Sequence, residues 1–230
     1  MELLTTFIGY LAGALVAILP IVNPPGAVPL VMTVAAHLPE AERQRQVRRA
    51  CGYVFVMMAG FLIAGGLIMS FFGISIPGMR IAGGMIVAIL GFQMLFPSAP
   101  PPSRELERET GHKADIAFTP LAMPGLAGAG TFAVIMSLSS QASARTGFDR
   151  LMYFAAVMTA IGIVALLCYA TLRAAERLQR VLGPTGIIAL TRLTGFLMVC
   201  IGVQFIIDGL TAILRDPEFW SGLSRAVAAD

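Results

Sequence analysis

Two Pro/Gly clusters, each inside a long apolar stretch, contain the residues best suited to bind a ligand. They occupy residues 20–26 (PIVNPPG) and 120–125 (PLAMPG). Proline lacks a backbone N–H and clashes with the preceding turn, so each cluster is predicted to break a helix near its middle. Freed backbone groups are costly in hydrocarbon, so such breaks are expected to line an internal cavity. The candidate binding residues are Asn23, Pro24, Pro25, Gly26, Pro124, Gly125, Gly128, Gly130 and Thr131.

The chemistry of a broken helix favours a small zwitterion. A half-helix that begins near Gly26 or Gly125 directs free N–H groups and the positive end of its dipole into the cavity, where they can bind a carboxylate. The carbonyl end of the preceding half-helix suits a cation. An α-amino acid presents both charges on one carbon, and the surrounding residues then select side-chain size. The pattern therefore favours small neutral amino acids.

Several of these residues have a second interpretation. Asn23 is expected either to cap the half-helix that starts at Pro24 or Pro25, or to contact a ligand. The glycines at 125, 128 and 130 allow close approach of a ligand or of a neighbouring helix. Both alternatives remain open at this point.

Charged and amide side chains within the apolar stretches are candidates for coupling or gating. Arg80 and Arg192 lie a turn or two inside their stretches, where each is expected to snorkel to lipid headgroups or find a partner, and where they could close two gates alternately. Asp208 is interpreted either as an ion-pair partner of Arg80 or as a site for a coupling proton. Gln93 and Gln204 are expected to bond between helices or, less favoured, to contact the substrate.

The composition requires a membrane to position these residues. Of 230 residues, 57% are hydrophobic and only 13% charged, with a mean hydropathy of +0.82, which excludes a soluble globular domain. With about 20 residues needed per crossing, we predict an all-α, polytopic protein with six transmembrane helices, of which the first and fourth are broken. The predicted spans are 4–36, 50–72, 74–97, 115–140, 150–172 and 184–214.

Basic residues predict the orientation. They concentrate in the connections after the first, third and fifth spans, so the positive-inside rule places both termini outside the cytoplasm. The Pro-rich, charged segment 98–114 reads as a cytoplasmic linker. It separates a three-helix unit at 1–97 from a second at 115–214, and 215–230 forms an extracytoplasmic tail.

The two units resemble each other. The third span runs from Arg80 through paired glycines to Gln93, and the sixth runs from Arg192 through two glycines to Gln204. The Pro/Gly breaks also occupy matching spans. A three-span unit crosses the membrane an odd number of times, so its second copy is inverted, as in many secondary transporters.

The sequence contains no motif that indicates a metal site, an enzyme or a nucleic-acid-binding protein. The three cysteines form no CxxC pair and the two histidines lie in polar connections, so no metal or other cofactor is expected. There is no nucleotide-binding motif and no catalytic set within the spans, so the chain is not expected to be an enzyme. The arginine-rich loops are explained by orientation rather than by nucleic-acid binding.

The segments IVNPPGAVPL (21–30) and PLAMPGLAGAGT (120–131), in a six-span chain of this size, resemble the MarC family of bacterial inner-membrane proteins. The resemblance implies an inner-membrane location. It places an NPxG-type motif on residues 23–26 and a PLAxPxLAGPGT-type motif on residues 120–131. Ala129 stands where that motif has a proline. The family is similar to the LysE group of exporters, and its SnatA-like members are described as transporters of glycine and alanine.

The leading hypothesis is therefore a secondary transporter of small neutral amino acids that works by alternating access, with proton or cation coupling left open. The alternatives are a non-transporting membrane scaffold and a transporter of another small polar solute. The expected partners are the amino acid and membrane lipid. The sequence does not decide the direction of transport or whether copies of the chain form a homo-oligomer.

Overall fold

The computed structural model describes residues 2–35, 38–96 and 117–216, and this part of the chain contains helices and no strands. A 3-10 helix, Pro24–Ala27, joins the first two α-helices, and a π-helical segment, Ala117–Leu126, called the π segment below, precedes the fifth. The α-helices are α1 (Glu2–Val22), α2 (Val28–Val34), α3 (Glu40–Phe71), α4 (Ile76–Leu95), α5 (Ala129–Ser143), α6 (Gly147–Arg173) and α7 (Ala175–Leu214).

Five helical stretches in the described ranges are long and apolar enough to cross a membrane. They are Glu2–Met32, Glu40–Phe71, Ile76–Leu95, Gly147–Arg173 and Thr185–Leu214. The predicted fourth span, 115–140, is divided between the π segment and α5. At 1.5 Å per residue the 15 residues of α5 extend about 22 Å, less than the roughly 30 Å of a hydrocarbon core.

Two charged connections are helical rather than extended. The helix that contains the predicted second span, 50–72, extends beyond that span, because α3 begins at Glu40. Glu40 and Glu42 lie in its first turn, where carboxylates interact favourably with the helix dipole. Similarly, α7 begins at Ala175, and Gly183, with φ 65°, kinks it before the apolar part. The linker 98–114 and residues 217–230 of the tail lie outside the described residues.

Helices α4 and α7 pack against each other through glycines. A Cβ atom on Gly84 would lie 2.5 Å from the carbonyl oxygen of Gly202, and one on Gly91 would lie 2.6 Å from that of Gly195. As the residue number rises along α4 it falls along α7, so the helices are antiparallel. Small residues let the backbones approach this closely, which favours association within a bilayer. We call this contact the glycine seam.

Helix α5 occupies the centre of the molecule. It packs against α3, α4 and α1, while α1 also packs against α6. Four of its polar residues, Thr131, Ser137, Ser139 and Ser140, are buried. Ser139 Oγ accepts a hydrogen bond from the backbone N–H of Gly66 on α3 at 3.0 Å. Polar groups in the centre of an apolar bundle require partners of this kind.

Candidate functional site

The first Pro/Gly cluster forms a sharp junction at Asn23. Helix α1 ends at Val22, and Asn23 adopts a left-handed conformation with φ 45°, which is costly for a residue with a Cβ atom. The Asn23 Oδ1 atom accepts a hydrogen bond from the Gly26 N–H at 3.2 Å. The prediction that Asn23 caps the following helix is confirmed, with the 3-10 helix Pro24–Ala27 as the element that it caps.

The other end of the Asn23 amide joins this junction to α4. Its Nδ2 atom lies 3.6 Å from the sulfur of Met94 and donates toward it. Asn23 is 9% exposed, so its amide sits at a junction between α1, the 3-10 helix and α4. A cap with a second, interhelical contact holds the backbone break in one geometry.

A glycine is required at position 26. An ideal Cβ atom there would overlap the Asn23 amide nitrogen and would lie 2.7 Å from Asn23 Cγ. The side chain of Asn23 thus occupies the space that any other residue at position 26 would need. The pair Asn23 and Gly26 acts as one structural unit.

The second Pro/Gly cluster forms a different junction. The π segment ends with a hydrogen bond from Ala127 N to Ala122 O at 2.8 Å. Gly128 is extended, and α5 begins at Ala129 with no side-chain cap on Gly128. The first N–H groups of a helix have no partner within it, so the α5 N-terminus is suited to an anionic group. Pro124 and Gly125 belong to the π segment, and their side-chain positions lie outside the described part.

The two junctions meet at one cavity of about 280 Å³, called the Asn23 cavity. The cavity brings together five residues predicted from the sequence. The other eight lining residues were not among the predicted site residues, and Met94, Thr191 and Met198 are three of these eight. The complete lining is Ile21, Val22, Asn23, Gly26, Ala27, Leu90, Gln93, Met94, Leu126, Gly128, Thr131, Thr191 and Met198.

Three other predicted binding residues, Pro24, Pro25 and Gly130, do not line this cavity. Pro24 is buried within the 3-10 helix and Pro25 is half-buried. Gly130 is a packing residue, because a Cβ atom there would lie 3.3 Å from Val87 on α4. Of the two readings left open for this glycine, close helix packing is the one observed.

The walls of the Asn23 cavity combine a few polar groups with apolar surface. Asn23, Gln93, Thr131 and Thr191 can donate or accept hydrogen bonds, and Thr131 is 2% exposed. The other side chains are aliphatic or methionine. A few convergent polar groups in an apolar pocket are typical of a small-molecule site.

A second cavity of about 350 Å³, called the Tyr10 cavity, contains the predicted coupling residues Arg80 and Asp208. It lies where the other ends of α4 and α7 meet α1, α5 and α6. Its remaining lining includes small residues of α1 and polar residues of α5. The lining is Gly9, Tyr10, Gly13, Ala14, Ala17, Arg80, Val134, Ser137, Leu138, Gln141, Arg145, Tyr153, Phe205 and Asp208.

One wall of the Tyr10 cavity is a cluster around Arg145. Its guanidinium lies 3.9 Å from the ring centroid of Tyr153 and 5.0 Å from that of Tyr10. Its Nε atom pairs with Asp149 at 3.3 Å, and Tyr10 donates a hydrogen bond to the same carboxylate at 2.8 Å. The cluster ties α1, α5 and α6 together and balances the charge of Arg145. No local spacing reveals it, because Tyr10 and Asp149 are 139 residues apart.

The coupling candidates separate into two groups. Gln93 lines the Asn23 cavity, whereas Arg80 and Asp208 line the Tyr10 cavity. Arg192 and Gln204 are exposed on α7 and line neither cavity.

Asp208 does not form the suggested ion pair with Arg80. Ion pairs within the described part of the chain join Arg43 to Glu176, Arg45 to Glu42 and Arg145 to Asp149, and none joins Arg80 to Asp208. Asp208 Oδ1 instead accepts a hydrogen bond from Gln204 Nε2 at 2.8 Å. Gln204 thus bonds within α7 rather than between helices.

Comparison with known proteins relates these features to a family. Residues 8–214 match the family described as MarC family integral membrane protein. The chain is 44% identical over 209 residues to the inner membrane protein MarC of Escherichia coli strain SMS-3-5, which covers 87% of this chain and 94% of the relative. Proteins of the same name from E. coli K12 and Shigella flexneri match with the same identity and coverage. No solved structure matches the chain significantly.

Proposed function

The chain belongs to the MarC family of integral membrane proteins and is a multi-pass inner-membrane protein, and from that premise we propose that it is a secondary transporter of small neutral amino acids. One observation carries the proposal. Two helix interruptions, distant in sequence, contribute Asn23, Gly26, Gly128 and Thr131 to a single cavity within the apolar bundle. Such paired interruptions are how secondary transporters bind polar solutes in a membrane.

The Asn23 cavity suits both charges of an α-amino acid. The carboxylate binds at the N-terminus of α5, near Gly128 and Thr131, because the helix dipole and its first N–H groups favour an anion. The ammonium group donates to side-chain oxygens on the opposite wall, among which Gln93 and Thr191 are the candidates. The side chains of Leu90, Met94 and Met198 limit the space and favour a small, uncharged substrate.

The glycine seam supports an inverted repeat of three crossings. In the repeat, Gly84 corresponds to Gly195 and Gly91 corresponds to Gly202. If each glycine is replaced by its counterpart in the other half, the contact between Gly84 and Gly202 becomes a contact between Gly195 and Gly91. That contact is the second close contact of the glycine seam. A pseudo-two-fold axis that lies in the membrane plane would relate α4 and α7 as an antiparallel pair of this kind.

In this proposal the π segment and α5 together form the fourth crossing, which brings the five helical stretches that are long enough to span up to six. Pairwise packing between the halves follows the same relation. The first span of the first half, α1, packs on the second span of the second half, α6, and the first span of the second half, made of the π segment and α5, packs on the second span of the first half, α3. The repeat therefore accounts for both the helix order and the contacts.

Alternating access is supported by the positions of the two cavities. On α1, Ala17 lines the Tyr10 cavity and Ile21 lines the Asn23 cavity, and on α5 the corresponding residues are Val134 and Thr131. Ile18, 1% exposed, lies between the two on α1. A thin apolar layer thus separates two polar cavities along the same helices, and a small shift of these helices would open it.

The binding proposal predicts that removing the polar groups of Asn23 or Thr131 lowers transport. Asn23→Gly keeps the left-handed backbone but removes the amide, and Thr131→Val keeps the shape but removes the hydroxyl. Losing one hydrogen bond from Thr131 to the charged carboxylate costs about 1.5–3 kcal/mol, and losing the Asn23 amide removes the cap that shapes the cavity wall, so alanine flux should fall roughly tenfold or more in each variant. The measurement is uptake of labelled glycine and alanine into proteoliposomes.

The matched control is Thr159→Val, an exposed threonine on α6 whose hydroxyl bonds to its own helix at Ala155 O. It should retain wild-type uptake. If the unmodified protein takes up no more glycine or alanine than empty liposomes do, the result would instead favour a non-transporting membrane scaffold. If a different polar solute is taken up and competes with alanine, the result would favour a transporter of that other solute.

The proposed orientation predicts that a reporter fused after Asp230 is active outside the cytoplasm. Arg43 pairs with Glu176, and Gln44 Nε2 donates to the Arg173 carbonyl at 3.4 Å, so two arginine-rich connections lie at one end of the bundle. The positive-inside rule places that end in the cytoplasm. A periplasmic phosphatase and a cytoplasmic fluorescent protein, fused in turn, measure the location; cytoplasmic fluorescence would reverse the assignment of both cavities.

A further inference from the structure

The Tyr10 cavity contains one cation and one anion that are not paired with each other. Arg80, near the start of α4, and Asp208, near the end of α7, both line it. Neither forms an ion pair with any residue in the described part of the chain. Arg80 is half-buried and Asp208 is exposed, so a solute can reach both groups, and a ligand that carries both charges can bridge them.

Arg145, the other cation of this cavity, is already engaged. It pairs with Asp149 at 3.3 Å and stacks on Tyr153 at 3.9 Å, while its Nη1 atom donates to the carbonyl of Gln141 at 2.7 Å. Its charge and its donors are therefore used within the protein. Arg80 is left as the guanidinium that can receive an anionic group.

Asp208 is held in place with part of its hydrogen-bonding capacity unused. Gln204, one turn earlier on α7, donates to Oδ1 at 2.8 Å. Within the described residues, no donor is bonded to Oδ2. An ionised carboxylate has about four acceptor positions, so Asp208 can accept a bond from an ammonium group while Gln204 fixes its rotamer.

The rest of the lining is compatible with a small solute. Ser137, 7% exposed, offers a hydroxyl from α5, and Gly9, Gly13 and Ala14 leave the α1 wall without bulky side chains. The cavity volume of about 350 Å³ is several times larger than the roughly 30 Å³ that one water molecule occupies in the liquid. The cavity can therefore hold a small zwitterion together with water.

We propose that the Tyr10 cavity is a second binding site for a free, small α-amino acid, with Arg80 binding the carboxylate and Asp208 the ammonium group. The inference rests on the proposed function and extends it: the two sites lie in series along α1 and α5, one on each side of the apolar layer. The Tyr10 cavity receives or releases the solute at one membrane surface, and the Asn23 cavity binds it on the other side of the layer.

The test measures protection of a thiol placed inside the Tyr10 cavity. Ser137→Cys is combined with Cys200→Ser, because Cys200 is exposed whereas Cys51 and Cys168 are buried. The purified protein is treated in detergent with a charged methanethiosulfonate reagent. Glycine or alanine at about ten times its Kd should slow modification about tenfold, because mass action leaves about one-tenth of the sites empty.

Ligands with only one of the two charges serve as controls. Acetate and methylammonium should give no protection, and adding Asp208→Asn or Arg80→Gln should remove the protection by glycine. Gln141→Cys provides a second reporter position if Ser137→Cys does not yield folded protein. Protection by a phosphatidylethanolamine headgroup but not by glycine would assign the cavity to lipid and overturn the proposal.

The two proposals fail differently. Adding Asn23→Gly should lower flux yet leave glycine protection of the Tyr10 cavity intact. If the unmodified protein transports alanine normally but glycine protects neither reporter cysteine, the second binding site is contradicted and the transport proposal is not. Protection without any flux would support the second site while contradicting transport.

Discussion

Gly202→Val is expected to leave little folded protein in the membrane. The Cβ atom alone would lie 2.5 Å from the Gly84 carbonyl oxygen and 2.6 Å from the Ala88 nitrogen. Both are backbone atoms of α4 and cannot rotate away, so the two helices must separate along the glycine seam. Overpacking typically lowers the free energy of unfolding by about 1–3 kcal/mol. Because this substitution separates two whole helices, we expect a loss at or above the upper end of that range.

The measurement is the yield of monodisperse protein in mild detergent, followed by its melting temperature. Gly60→Val is the matched control, because it makes the same change within a membrane-spanning helix at a position where a Cβ atom meets nothing within 4 Å. The control should behave as wild type. Gly91→Val, the counterpart in the other half, should be as harmful as Gly202→Val; a normal yield from either seam variant would contradict the close antiparallel contact.

Gly26→Ala is expected to abolish most alanine uptake while leaving the bundle folded. The added methyl group would displace the Asn23 amide, since the new Cβ atom would lie 2.7 Å from Asn23 Cγ. Asn23 would then lose its cap on the 3-10 helix and its contact with Met94. Caps contribute about 0.5–2 kcal/mol to stability, a loss that the bundle can absorb, whereas the displaced amide changes the wall of the proposed binding site.

The experiment compares initial uptake rates in proteoliposomes at equal amounts of folded protein. Gly52→Ala, in an exposed position of α3 with open space around it, controls for the chemical change. Its uptake should equal that of wild type. If Gly26→Ala transports alanine at the wild-type rate, the geometry of the Asn23 junction has no part in transport, and the Asn23 cavity loses its assigned role.

Much of the candidate site was predictable because its residues are unusual in their context. A Pro/Gly cluster inside an apolar stretch disrupts helical hydrogen bonding wherever it occurs, so the importance of residues 20–26 and 120–125 follows from local chemistry. The cap formed by Asn23 is likewise local, involving a residue only three positions away. The π-helical form of the second segment was not predictable, because proline indicates an interruption without specifying the hydrogen bonds that replace the regular ones.

Helix boundaries were less accessible from hydropathy. The N-terminal part of α3 and of α7 carries many charges, so a hydropathy pattern ends the span there although the helix continues. Helix formation depends on backbone hydrogen bonds and on charges placed favourably at helix ends, neither of which stops at the membrane surface. Glu40 and Glu42, in the first turn of α3, are the sequence feature from which this extension could have been inferred.

The sequence by itself determined that this is a helical membrane protein, which residues interrupt its helices and which polar side chains lie within apolar stretches, because hydropathy and proline geometry act over a few neighbouring residues. Only the tertiary structure decided that Asn23 and Thr131 share one cavity, that Arg80 and Asp208 face another without pairing, and that Gly84 meets Gly202. These relations depend on how whole helices pack, and packing is set by the combined shape of surfaces more than one hundred residues apart.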